Sequence, residues 1–146
     1  MTAATQQLLD SIAYIAWHGQ RVSEEGEAWA TIVQPARDDL LNYVGLTHAG
    51  ATYTLAETAC GVVADALART LGGFILLRAA EGRYLRPANG VLSARAQADD
   101  SARRAAAAAF SENGRADLPI AVVVESSDGQ AVFEGHFQYA LRARRA

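Results

Sequence analysis

The sequence predicts an α+β fold in which an antiparallel sheet curls around one long central helix, with a short extra helix between strands. Three observations carry this. Residues 49–73, AGATYTLAETACGVVADALARTLGG, are apolar on nearly every side, which suits a helix wrapped by other elements rather than one lying on a surface. Several of the other segments alternate apolar and polar residues, so that each has one apolar face. An antiparallel sheet folded over the helix is the simplest way to bury both.

Each element follows from local signals. Leu8, Leu9, Ile12, Ile15 and Ala16 recur at helical spacing and predict a first helix over residues 4–16. Gly19 and Gly26 bracket a short strand at 21–24. A second strand over 27–34 stops at Pro35, which has no N–H to continue a ladder. Residues 36–48 form an irregular link with Asn42 and Gly45 as turn positions. The long helix follows and ends at Gly72-Gly73; at 1.5 Å per residue it is ~30 Å long. Residues 74–86 read as a strand with an irregularity at Gly82. In 89–98, Leu92, Ala94, Ala96 and Ala98 share a side. Asp99-Asp100-Ser101 opens a short helix over 101–112, closed by Asn113-Gly114. Strands at 118–126 and 130–143 are joined by the hairpin signal Ser127-Asp128-Gly129. In the last strand Phe133, Phe137, Tyr139 and Leu141 share the apolar face.

The 146 residues are expected to form a single domain, long enough to bury ~70% of the unfolded surface. With 51% hydrophobic and 20% charged residues, the chain is neither a disordered tail nor a coiled coil. A net charge of -3 provides no positive field for nucleic acid or an anionic membrane. Glu57, Asp65 and Arg69 interrupt the longest apolar run, so no membrane-spanning helix is expected. The opening residues have no basic stretch leading into an apolar core, and a cytoplasmic location is expected. Cys60 is the one cysteine. It allows no internal disulfide or thiolate cluster, and no His pair has metal-ligand spacing, so no metal is expected.

Candidate chemistry concentrates around the long helix. Glu57 lies mid-helix among apolar neighbours, where an ionised carboxylate is costly unless paired. Its functional reading competes with an exposed position or a structural bond to Thr54 or Thr58. His48 precedes the helix, with Ala49 and Gly50 as its first residues. The unpaired N–H groups of a helix start suit a developing oxyanion, although a histidine there can equally be a cap. Asn42 is a turn residue whose amide can also hold a water or a carbonyl. Cys60, inside the same helix, reads as a small core residue.

The run NYVGLTHAGATYTLAETACGVVA, residues 42–64, resembles the signature of hotdog-fold thioesterases of the phenylacetyl-CoA thioesterase type, in particular a bacterial branch carrying Glu in the hotdog helix. His48 stands six positions after Asn42, and Glu57 nine positions after His48. RYLRPANG at 83–90 and DGQAVFEGHFQYAL at 128–141 extend the likeness. The resemblance implies a thioesterase acting on acyl-CoA or acyl-carrier-protein thioesters without cofactor. In it, Glu57 acts as general base or nucleophile, the Ala49 and Gly50 N–H groups polarise the thioester oxygen, Asn42 orients water or substrate, and His48 supports the loop or the thioester. Arg78, Arg83, Arg86 and Arg95 are available for CoA phosphates, with Tyr53 and Thr58 as further substrate contacts. Position 49 is Ala where the family often has Gly, and the acid is Glu rather than Asp.

Eight residues along one helix put Ala49 and Glu57 ~12 Å apart, too far for both to reach one carbonyl. A homodimer, or a dimer of dimers, with a site shared between protomers resolves this and agrees with the resemblance. Two alternatives remain: a non-catalytic hotdog module binding acyl thioesters or small hydrophobic ligands, and a dehydratase or hydratase using His48 with Glu57.

Overall fold

The computed structural model describes residues 2–145. Six strands form one antiparallel sheet in the order β1-β2-β4-β5-β6-β3: β1 (Arg21–Glu25), β2 (Trp29–Gln34), β3 (Gly73–Tyr84), β4 (Leu92–Gln97), β5 (Arg115–Ser126) and β6 (Ala131–Ala143). The expected central helix is α3 (Ala49–Thr70), which packs against β2, β4, β5, β6 and β3. Leu55, Ala56, Ala59, Cys60 and Ala64 are fully buried on it. They meet the inward side chains of the strands: Leu92, Ala94 and Ala96 of β4, Leu118, Ile120 and Val124 of β5, and Phe133, Phe137, Tyr139 and Leu141 of β6. One stripe of α3, at i, i+4 spacing through Tyr53, Glu57, Gly61 and Asp65, remains partly open.

The first helix departs from expectation. It is two helices, α1 (Thr2–Ser11) and α2 (Ala13–His18), separated by Ile12 in extended conformation. Ser11 Oγ donates to the Leu8 carbonyl at 2.6 Å, a local bond that competes with helix continuation. Strand β5 starts at Arg115 rather than 118. Pro119 does not break it, because β4 ends opposite Ala121 and the stretch around Pro119 is bordered in the sheet by β6 alone. The irregularity in β3 falls between Leu77 and Ala79, not at Gly82. Gly82 instead lies under the Phe133 ring, where a Cβ would come within 2.4 Å of it. Helix α4 (Asp100–Asn113) packs on β5 through Ala106 and Phe110. Edge strand β3 pairs with β6 on one side only, and Leu76 on it is 61% exposed.

Candidate active site

The link before α3 is built around Asn42. Its Oδ1 accepts the N–H groups of Val44 (3.0 Å) and Leu46 (3.1 Å), and its own N–H donates to the Leu46 carbonyl. Gly45, at φ 81°, takes the left-handed conformation this tight loop needs. The Asn42 carboxamide NH2 has no hydrogen-bond partner among the described residues. The loop projects Tyr43, 99% exposed, into solvent. Two further backbone bonds fasten it: Thr47 N–H to the Ala88 carbonyl and His48 N–H to the Leu40 carbonyl.

His48 is the N-cap of α3. Its Nδ1 accepts the Gly50 N–H at 2.8 Å, so in the neutral ring the proton sits on Nε2. The Gly50 N–H, expected from the resemblance to polarise the thioester oxygen together with that of Ala49, is engaged by the His48 ring in this structure. The Ala51 and Thr52 N–H groups donate to the His48 carbonyl. Ala49 N–H is left without a partner among the described residues, at the positive end of the helix. Tyr84 Oη donates to the Ala49 carbonyl at 2.8 Å and fixes this first turn. Asn42, Ala49, Thr52, Tyr84 and Arg86 line one cleft of about 420 Å³.

Glu57 is half-buried two turns further along and does not line that cleft. Neither expected threonine holds it: Thr54 Oγ1 donates to the Gly50 carbonyl, and Thr58 Oγ1 to the Thr54 carbonyl. Thr58, expected as a substrate contact, is buried with its hydroxyl engaged inside the helix. Tyr139 binds the carboxylate instead, with its hydroxyl 2.6 Å from Glu57 Oε2. Burial drives the Tyr139 phenol far above its ordinary range, and the Glu57 charge adds to this, so the hydroxyl stays a donor. Tyr53, its ring 5.3 Å from that of Phe137, is raised by burial and then by the same charge. Burial also raises the Cys60 thiol, in keeping with a core residue rather than a nucleophile.

Of the four candidate arginines, Arg86 alone lines the cleft. Arg78 is paired with Asp117 at 2.6 Å, Arg83 lies 3.8 Å from Glu134, and Arg95 stacks 4.2 Å above Trp29. Reasoning from sequence missed Tyr139 and Tyr84 as site residues. For Tyr139 its place on an inward face was the available signal, because a buried hydroxyl needs a partner; the exposed Tyr84 gave none.

Comparison with known proteins places the chain. It belongs to the family described as a domain of unknown function (DUF4442), which matches residues 11–141. No curated protein matches it. Among solved structures it is similar to a protein of unknown function from Pseudomonas aeruginosa described as a probable thioesterase (TM-score 0.86, 23% identity, 99% of this chain and 97% of that one). It is also similar to a thioesterase from Haemophilus influenzae (TM-score 0.78, 19% identity, 98% and 91%). A mutant thioesterase from Pseudomonas aeruginosa is a third (TM-score 0.80, 16% identity, 97% and 94%). These likenesses establish the expected hotdog fold: a sheet wrapped around α3. No described helix is long and apolar enough to cross a membrane.

Proposed function

We propose that the protein is a thioesterase hydrolysing acyl-CoA or acyl-carrier-protein thioesters, at two composite sites formed between a pair of protomers. The observation that carries this reading is Glu57, a carboxylate on the central helix that is half-buried and held by a single donor among the described residues. The thioester oxygen accepts from the free Ala49 N–H of one protomer, and the Asn42 carboxamide of the same cleft orients water or substrate. Glu57 of its partner supplies the base, which removes the ~12 Å separation within one chain.

Glu57 takes a proton from water as the water oxygen bonds to the carbonyl carbon, and the oxyanion forms against the amide. Collapse breaks the C–S bond, and the departing thiolate recovers the proton from Glu57. The products are a carboxylic acid and a free thiol, with no cofactor in the scheme. Arg86, at the cleft, is the cation available to CoA phosphates. The open edge of β3 and the projecting Tyr43 supply surface for assembly into a dimer or a dimer of dimers.

Release of free thiol from short, medium, long and aromatic acyl-CoAs tests the reading. Turnover is expected on at least one of them, and Glu57→Ala is expected to lower kcat ~10²- to 10⁴-fold. Undiminished turnover in that variant, or none in the native protein, overturns it. Saturable acyl-CoA binding without turnover points instead to a binding module.

A further inference from the structure

We infer that Tyr139 is a positioning residue that fixes which carboxylate oxygen of Glu57 faces the reacting water. The inference rests on the reading of Glu57 as the base. Tyr139 enters from β6, 82 positions along the chain, and is 1% exposed. Phenylalanine would bury the same ring without the cost of desolvating a hydroxyl, so the hydroxyl calls for an explanation. Its partners are both on Glu57: Oε2 at 2.6 Å and the backbone carbonyl at 3.1 Å. The shorter contact, to the charged group, is the stronger.

Gly61, one turn beyond Glu57, completes the arrangement. A Cβ at this position would stand 3.3 Å from Glu57 Oε2 and 3.7 Å from the Tyr139 hydroxyl. Oε2 is therefore set against the bare backbone of Gly61 on one side and the phenol on the other. Oε1 has no hydrogen-bond partner among the described residues. It is the oxygen free to accept the proton of an attacking water.

The groups facing the carboxylate are few. Tyr53 and Cys60 on its own helix and Tyr139 on β6 feel its charge, and all three stay neutral because burial raises them. Tyr139 is the one among them that donates a hydrogen bond to it. Deleting that donor disfavours the ionised carboxylate.

The test is Tyr139→Phe, read in two ways. Thioester hydrolysis is followed against pH, and the Glu57 side-chain carbon is titrated by NMR in the same proteins. Loss of a hydrogen bond to a charged group predicts a fall in kcat of ~10-fold or more with KM little changed. The acid limb of kcat and the NMR midpoint are both expected to move up. A Glu57 titration unchanged by the substitution overturns the inference, whether or not the protein is active. A shifted titration with unchanged kcat removes the catalytic consequence and also overturns it. A shifted titration in a protein that hydrolyses no thioester sinks the thioesterase reading and leaves the contact itself established. If Tyr139→Phe does not fold, Gly61→Ala presses Oε2 from the other side. It is expected to lower kcat and raise the midpoint in the same direction, and native behaviour in it overturns the inference.

Discussion

His48 closes the start of α3 with a ring nitrogen rather than the hydroxyl or carboxylate that usually does so. Its contribution can be measured directly. His48→Ala leaves the Gly50 N–H to water and is expected to cost ~1 kcal/mol in urea unfolding. Buried acids make a second measurable contribution. The Cys60 thiol and the Tyr139 phenol hold their protons in the folded chain well above their ordinary values near 9 and 10. The unfolded chain releases these protons first. Stability is therefore untouched below about pH 9 and falls as pH rises beyond it. Urea midpoints measured from pH 7 to 11 should show this decline, and Cys60→Ala should make it shallower. A midpoint that stays level to pH 11 contradicts the assignment of both groups.

At the scale of elements, sequence was informative where a pattern is local. The 22-residue α3, the alternation of β4 and the two faces of β6 all follow from spacing that a neighbouring residue can enforce. It was silent where two local forces compete or a distant element decides. Residues 4–16 have helical periodicity throughout, yet the chain turns extended at Ile12, next to the Ser11 hydroxyl bonded to the Leu8 carbonyl. The slip in β3 depends on its pairing with β6, which no segment shows alone. The site divides along the same line. Asn42, His48, Ala49 and Glu57 lie within 16 positions and were legible as a spaced set. Tyr139 was legible only as core, because its meeting with Glu57 depends on how β6 is seated on α3. Arg78 and Arg83 looked free in sequence, but Asp117 of β5 and Glu134 of β6, strands distant in sequence, lie against them.

Across the whole molecule, the free helix-start amide and the half-buried carboxylate lie at different places on one rod, and the proposed pairing of protomers joins them. Two variants test this together. Ala49→Pro deletes the N–H at the first helical position, where proline is well tolerated. The preceding His48, at φ -59° and ψ 138°, already has the conformation a following proline requires. Glu57→Gln removes the base. Each variant alone is expected to be nearly inactive. Unfolded together and refolded at equal amounts, half the pairs would be mixed, and each mixed pair would hold one intact site. Activity is then expected to recover to about a quarter of native, in keeping with a two-fold pair. No recovery would place each site within one chain.

The slip between Leu77 and Ala79 has a consequence for what can join the open border of β3. On either side of it the backbone donors and acceptors run in different phase, so a straight foreign ribbon can match only one half of the border at a time. Such a break in rhythm disfavours the indiscriminate addition of a foreign strand along the whole border.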